Sequence, residues 1–527
     1  METPALSGLA LVGRGRGRPG GAVFRGVNPA TGEALEPAFH TSHPDEVARA
    51  AELAAAAAPR MAALSGSDKS AFLLDLARRL EADAPALAAR AQLETALPEA
   101  RCLGEIGRTV GQLRLFADLV RQGHWVDARI ELAQPDRKPL PKPDHRSMCR
   151  ALGPVAVFCA SNFPFAYSVA GGDTASALAA GCPVVVVAHP AHPGTAERVG
   201  SHVAEAARAA GLPEGAFSML VGDGRVVGQA LVRHPAIRAV GFTGSRAGGR
   251  ALMDLAAARP EPIPVYAEMS SVNPVVFLDG ALAERGEALV AGMLGSCTLG
   301  VGQFCTQPGL LLMARTPAAQ AFVARLADAF RAAPEGVMLH ASIARAYRDG
   351  LSARLATKGV GLLARGAGSG QPNRAEPALL EVSAADFLAD PSLRHEIFGP
   401  CSTVVWCDGA AQLRAALGGV EGSLTGTLHA TDAELAANAD LVETLSRLAG
   451  RVVLNGFPTG VEVSSAIVHG GPYPSLSDGR STSVGANALY RFTRLVCYQN
   501  FPDAALPPEL RADNPLGIRR LVGGNPA

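Results

Sequence analysis

From Gly153 onward, short Val-rich runs alternate with helix-like stretches, and this alternation constrains the fold more than any other feature of the chain. The runs are Val155–Cys159, Pro183–Ala188, Phe217–Val221, Ala239–Phe242 and Pro264–Glu268, with Gly and Pro at each switch. A strand that is apolar on both sides must be covered on both faces. A parallel sheet with helices above and below meets that demand for consecutive strands. The pattern predicts a doubly wound α/β domain of the nucleotide-binding type, whose ligands sit at the carboxyl ends of the strands. After Glu268 the alternation returns less regularly to about Val453, which predicts a second α/β domain.

Upstream of Gly153 the signals are helical. Pro44 in a first turn, with Ser42 and Asp45 as a capping pair, opens an Ala-rich helix. Phe72, Leu73, Leu76 and Leu80 recur at helical spacing, as do Leu113, Phe116, Leu119 and Val120. Asp127–Arg150 is rich in Pro, Asp and Lys and reads as an extended excursion or hairpin. The first twenty residues, rich in Gly and Arg, read as a loose tail. The segment SNFPF reads as the opening of the first helix of the α/β domain, without a G-x-G-x-x-G fingerprint. Gly222, Gly224 and Gly228 form a looser Gly-rich turn after a strand, and a plain loop explains them as well. The stretch after Leu495 combines a short strand-like run with a Pro-rich tail.

Charge narrows the range of partners. Lys plus Arg and Asp plus Glu number 48 each, so the formal net charge is zero. That argues against a nucleic-acid binder, which needs a basic patch or stripe. The hydrophobic share of 48% is too high for a disordered chain. No apolar run of eighteen residues occurs, and the amino-terminal apolar patch precedes its arginines, the wrong order for a secretory signal. The nine cysteines are odd in number and include no C-x-x-C pair, which favours a reducing compartment, the cytoplasm, over a zinc ribbon or disulfide framework.

Three segments carry candidate chemistry. Cys305 ends Gly302-Gln303-Phe304-Cys305, a polar turn with Gly300 just upstream, where the backbone can approach a ligand closely. It fits a nucleophilic thiol; a small buried hydrophobe is the commoner fate of a cysteine. Glu268 ends an apolar strand, where a parallel sheet holds its ligands; a solvated strand end or a helix cap fits as well. Glu396, in His395-Glu396-Ile397-Phe398-Gly399-Pro400, fits a carboxylate that grips a ribose, or a loop carboxylate with no ligand.

Taken together, these segments resemble the aldehyde dehydrogenase superfamily over nearly the whole chain. The matching signatures, in the family's order, are Val27–Glu33 (VNPATGE), Ser161–Phe165 (SNFPF), Gly241–Ser245 (GFTGS) with Gly249, Ala267–Ser271 (AEMSS), Gly302–Cys305 (GQFC) and Glu396–Pro400 (EIFGP). Glu94–Ala117, Ala188–Thr195 and the run EMSSVNP are similar to those of the branch acting on 2-oxoglutarate semialdehyde (2,5-dioxopentanoate). A branch of NADP-dependent fatty-aldehyde dehydrogenases shares much of the same pattern.

The resemblance implies an NAD(P)+-dependent oxidation of an aldehyde to an acid, through a thiohemiacetal and a thioester on Cys305. It implies Asn162 as an oxyanion donor and Glu268 as the general base that activates water, with a pKa raised by an apolar wall. For the cofactor, NADP or NAD, it implies Glu396 on the ribose, Phe398 beside the nicotinamide, and Gly244, Ser245 and Gly249 at the pyrophosphate. It also implies a lysine on the strand before the HPAHPGT segment, where this chain has Val187. His189, His192 or Arg225 are the candidates to compensate, and Arg225 would also suit a 2′-phosphate; a solvated helix start explains Arg225 equally. Val187 leaves open a third reading, a cofactor-impaired paralogue with a binding role.

For the substrate, Arg108 on its helix would line the tunnel and meet a carboxylate, unless it pairs with Glu105 on the surface. Phe163, Tyr167 and Phe457 are tunnel-wall candidates, with core packing the alternative for each. The implied architecture has two doubly wound α/β domains and a small β oligomerisation element. The expected cofactor domain comprises residues 1–127 and 147–266, and the catalytic domain 267–470. Residues 128–146 and 471–527 would supply the oligomerisation element and tail, with the excursion pairing with the stretch near Leu495–Phe501. A homodimer or homotetramer follows from that element, with no metal, nucleic acid or membrane involved.

Overall fold

The computed structural model describes residues 6–527. Two seven-stranded sheets and a five-stranded sheet organise it. In the first sheet, Val265–Glu268, Ala239–Thr243, Val155–Phe158, Val184–Val187 and Phe217–Leu220 lie side by side and parallel. All five strands begin and end within one residue of the apolar runs, and the central three are buried on both faces: every residue of Val155–Phe158, Val184–Val187 and Phe217–Leu220 is inaccessible or nearly so. The helices Gly172–Ala180, Pro193–Ala209 and Arg246–Ala257 provide the crossovers.

Two separate cores confirm the double winding. Val155, Val157, Val184, Val186 and Met219 face one cluster with Leu73, Leu76 and Phe116. Ala156, Phe158, Val185, Val187 and Leu220 face the other with Val47 and Leu231. Fully burying a side chain of this size contributes about 1.5–3 kcal/mol.

The amino-terminal residues depart from the expectation of a loose tail. Leu11–Val12 and Gly15–Arg16 form a hairpin that extends the first sheet, Leu11 pairing antiparallel with Met219. The buried Glu197 carboxylate holds it, accepting from Ser7 N, Gly8 N and Arg16 Nη1 at 2.7–2.9 Å. The Met1–Ala5 part of the tail lies outside the described residues. The first helix, Pro44–Ala62, is capped one position later than expected. His43 is the N-cap and its N–H donates to Glu46, while the Ser42 hydroxyl accepts from Val221 N. SNFPF does not open a helix either: the chain turns irregularly until Gly172, so these residues are free to face the site.

The second sheet runs Gly361–Arg365, Ala378–Ser383, Cys401–Cys407, Leu310–Ala314, Val275–Phe277, Ser423–His429, Ala449–Leu454. Only Gly361–Arg365, at one edge, is antiparallel to its neighbour. The third sheet collects Thr493–Gln499, His145–Ala151, Arg129–Glu131, Leu521–Val522 and Asn525–Pro526. Thr493–Gln499 pairs with His145–Ala151 over seven residues. The Pro-rich tail returns to pair Leu521 and Val522 with Arg129 and Ile130. The strand Val265–Glu268 continues through position 267, so the first sheet reaches two residues beyond the boundary drawn from sequence. No helix among the described residues is long and apolar enough to cross a membrane.

Candidate active site

Cys305 follows three successive left-handed residues, Gly300 (φ +56°), Val301 (φ +59°) and Gly302 (φ +65°). A β-branched residue held there stores about 1–3 kcal/mol of backbone strain. The turn is pressed against a second motif: a Cβ added at Gly302 would lie 2.4 Å from Gly399 C and O and from Pro400 N. The thiol loop and the Glu396 loop thus touch backbone to backbone. Asn273 Nδ2 fixes the thiol loop from below, donating to Cys305 O (2.9 Å) and Gln307 O (2.8 Å).

Glu268 ends its strand beneath this loop, its side chain 1% exposed. The segment Ser475–Ser477 runs antiparallel along the strand end, with Met269 N donating to Ser475 O at 2.8 Å. That segment brings in His469, which sequence reasoning missed. Its Nε2 lies 3.0 Å from Glu268 Oε1 and 3.4 Å from Cys305 Sγ. Its Nδ1 is buried with no hydrogen-bond partner among the described residues. The Ser483 hydroxyl donates to Glu268 Oε2 in a short contact.

Electrostatics here differ from the expectation. Burial alone would raise the Glu268 carboxyl, but His469, Ser483 and Cys305 bring it below the usual carboxylate range. Burial and the Glu268 charge push the Cys305 thiol well above the ordinary cysteine value. A thiol in that state needs help to ionise before it is a nucleophile, and Glu268 and His469 are the polar groups that stand beside it.

Asn162 is half-buried and its Nδ2 donates to Gln303 O (3.1 Å), two residues before the thiol. Phe163 packs edge-on against Phe304 (5.1 Å) and Tyr167 (5.2 Å), and Tyr167 lies 6.1 Å from the His469 ring. Phe457 packs elsewhere, on the His429 ring (5.3 Å) and against Gly292 in the second core.

Besides Arg101, which lies over the Phe163 and Phe304 rings (4.5 and 5.1 Å) with its Nη1 buried and unpartnered, two further arginines reach this aromatic wall. Arg108 Nε donates to Val461 O (3.3 Å) and Nη2 to the Tyr167 hydroxyl (3.4 Å), while Nη1 is buried without a partner. It does not pair with Glu105, which is buried and occupied by Phe165 N, Ala166 N and Arg101. The second is Arg451, also missed from sequence. Its Nη2 donates to Pro458 O, its Nε is buried and unpartnered, and its charge acts on both Cys305 and Tyr167.

The cofactor candidates divide between two cavities. One, of about 380 Å³ at the carboxyl ends of the first sheet, is lined by Val187, His189, Arg225, Gly244 and Ser245. Ser245 caps the helix Arg246–Ala257 by accepting from Gly248 N, and the remaining first-turn N–H groups are donors of the kind a pyrophosphate takes. Gly249 serves packing instead: a Cβ there would lie 2.6 Å from Met269 Sδ. Arg225 is 88% exposed and 3.5 Å from Asp223. His189 stacks on His192 and nears His340; burial and both neighbours hold it well below the ordinary histidine value. It therefore supplies no charge in place of the absent lysine. His192, buried with Nε2 3.0 Å from Ala160 O, is held down by the same burial.

The other cavity, of about 360 Å³, is lined by Glu396, Ser270, Ser271 and Arg246. Burial raises the Glu396 carboxyl to about 8, opposed by hydrogen bonds from the Ser270 hydroxyl and Ser271 N. Phe398 follows on the same loop, half-buried. A capped helix start in one cavity and the Glu396 carboxyl in the other are groups of the kind a dinucleotide takes.

Residues 18–495 match the model of the aldehyde dehydrogenase family. The chain is 51% identical over 522 residues to alpha-ketoglutaric semialdehyde dehydrogenase 2 of Azospirillum brasilense, covering 98% of this chain and 99% of that one. It is 46% identical over 481 residues to the alpha-ketoglutaric semialdehyde dehydrogenase of Acinetobacter baylyi, with 91% of each covered. Among solved structures, lactaldehyde dehydrogenase from Escherichia coli superposes with a TM-score of 0.80 at 22% identity, over 93% of this chain and 98% of that one. Betaine aldehyde dehydrogenase from Staphylococcus aureus, solved with NAD+, gives 0.79 at 18% identity, over 94% and 95%.

Proposed function

The chain belongs to the aldehyde dehydrogenase family, and from that premise we propose that it oxidises 2,5-dioxopentanoate to 2-oxoglutarate, with NAD(P)+ and water as co-substrates. The observation that carries the substrate is the pair of arginines. Arg108 and Arg451 each keep one buried N–H unpartnered, and the charges of both act on Cys305. A buried guanidinium donor without a partner is costly, and a carboxylate satisfies it with a charge-assisted hydrogen bond. The aldehyde at one end of the substrate meets the thiol while the 2-oxo acid at the other meets the arginines. A simple aliphatic aldehyde, the second reading, leaves both donors unmet.

In the chemistry proposed, the thiol proton leaves to a solvent water as the Cys305 sulfur attacks the aldehyde carbon, with the His469 Nε2–H and the charges of Arg108 and Arg451 favouring the thiolate. The oxyanion is met by Asn162, which turns from Gln303 O, and by the Cys305 N–H. When bound, the nicotinamide supplies the hydride acceptor. The resulting thioester on Cys305 is hydrolysed by water whose proton passes to the Glu268–His469 pair. The His469 Nε2–H donates to Glu268 Oε1 and so orients that carboxylate for the step. Gly244, Ser245 and Glu396 would hold the cofactor, with Phe398 on the same loop as Glu396. Exposed Arg225 swings from Asp223 to a 2′-phosphate, which favours NADP.

Further proposals concern assembly and setting. The long outer strand Thr493–Gln499, with Leu495 and Phe501 exposed, supports a homodimer or homotetramer. Nine free cysteines support the cytoplasm. The convergence of Cys305, His469 and Glu268 weighs against a paralogue kept only for binding. The test is a comparison of kcat/KM for 2,5-dioxopentanoate and hexanal with each cofactor, with 2-oxoglutarate identified as product. A higher value for hexanal would overturn the substrate.

A further inference from the structure

We propose that Cys305, His469 and Glu268 also form a binding site for a soft divalent cation, zinc foremost, and that its occupancy reversibly switches the enzyme off. The three ligand atoms, Sγ, Nε2 and a carboxylate oxygen, all lie within 4.8 Å of one another. Sγ and Nε2 are 3.4 Å apart, Nε2 and Oε1 3.0 Å. A tetrahedral zinc with Zn–S about 2.3 Å and Zn–N and Zn–O about 2.0–2.1 Å separates its ligand atoms by roughly 3.3–3.6 Å. The sulfur–nitrogen edge already has that length, and the nitrogen–oxygen edge needs to open by a few tenths of an ångström.

The donor chemistry selects the ion. Thiolate, imidazole and carboxylate together suit zinc, whereas calcium and magnesium take oxygen ligands. Three protein ligands leave a fourth position for water or for the oxygen of an aldehyde, as in an open zinc site. The outer contacts orient the set: Ser483 holds Glu268 Oε2, which leaves Oε1 towards the ion, and Asn273 holds the Cys305 carbonyl. His469 and Glu268 are closed to solvent and Cys305 is half-buried, so the ion enters on the thiol side, along the aldehyde's own route.

Binding replaces the thiol proton by a sulfur–metal bond and releases that proton to solvent. The sulfur lone pair that would attack the aldehyde is then engaged, and so is the carboxylate that serves hydrolysis. Inhibition follows from occupancy alone, without a conformational change. The binding itself does not depend on which aldehyde is the substrate.

The test uses the full chain freed of metal by a chelator. Zn2+ is titrated by calorimetry, and Co2+ serves as an optical probe. One equivalent per chain is expected, with a thiolate-to-cobalt charge-transfer band in the near ultraviolet. Zn2+ should abolish NAD(P)H formation and protect Cys305 from iodoacetamide by mass spectrometry, and EDTA should reverse both effects. His469→Gln and Cys305→Ala, each checked for native circular dichroism, should lower affinity at least tenfold. Cys497 is the exposed thiol and the rival ligand, so Cys497→Ser should leave the band intact. A band lost in Cys497→Ser, or Cys305 left unprotected in the unmodified protein, would overturn the proposal.

Discussion

His469 Nε2 stands 3.0 Å from Glu268 Oε1, with both side chains closed to solvent and 201 residues apart in sequence. The same ring nitrogen also faces the Cys305 sulfur at 3.4 Å, so one N–H stands between the carboxylate and the thiol.

His469→Leu removes the N–H donor of the acid–base pair that the ring forms with Glu268. A loss in kcat of about 10²–10⁴-fold is expected, the usual scale for an acid–base group. Alkylation of Cys305 by iodoacetamide should slow in parallel, while circular dichroism stays native. A histidine that merely fills space would leave both rates within a few-fold of the parent.

Glu268→Gln should separate acylation from hydrolysis. Stopped-flow absorbance is expected to show a burst of about one NAD(P)H per active site, followed by slow turnover. A loss of the burst itself would assign Glu268 to the first step instead.

Arg108→Met and Arg451→Met should each lower kcat/KM for 2,5-dioxopentanoate by about 10–100-fold, the worth of one charged hydrogen bond. Hexanal should change by less than about threefold, since it offers nothing to either guanidinium. Equal losses on the two substrates would make both arginines struts for Pro458 and Val461.

Glu396 gives a pH signature. Burial raises its carboxyl to about 8, so the free folded protein carries a proton there at neutral pH that the unfolded chain has lost. Its stability contribution is full below the ordinary carboxyl range and is lost as pH rises through about 8. The proposed grip on ribose hydroxyls needs the ionised form, so cofactor affinity should climb over the same interval. Calorimetric Kd values should fall from pH about 7 to about 9, and Glu396→Gln should flatten the profile.

Gly302→Ala combines a left-handed backbone with a Cβ 2.4 Å from Gly399 and Pro400. A loss of about 2–4 kcal/mol is expected from denaturant unfolding, together with lowered activity. Gly224→Ala, with nothing within 4 Å of the added Cβ, is the control and should shift stability by less than about 1 kcal/mol.

Much of the fold was legible because its information is local. The run Val184–Val187 is apolar on both faces, and nothing but a central strand accommodates that. The thiol, the strand-end carboxylate and the Glu396 loop could be singled out because each lies in a short ordered motif. His469 could not, since it reaches Cys305 across 164 residues and its neighbours Gly470 and Gly471 read as an ordinary turn. Arg451 was hidden for the same reason: only the return of Pro458 to its strand turns it inward. The amino-terminal hairpin was misread because Gly-rich composition signals looseness, whereas its order comes from a distant buried carboxylate, Glu197.

The strand Val265–Glu268 hydrogen-bonds in register with Ala239–Thr243, so the carboxylate proposed for hydrolysis is built into the sheet proposed to bind the nucleotide, while the Cys305 thiol rises from the other half. Exchanging nucleotide-binding halves between relatives would therefore transplant the water-activating group along with cofactor preference. A chimera joined just before Val265 would keep the host's carboxylate on a foreign sheet edge, and one joined after Met269 would import it. Engineers who alter cofactor choice by grafting this half inherit a hydrolysis rate with it.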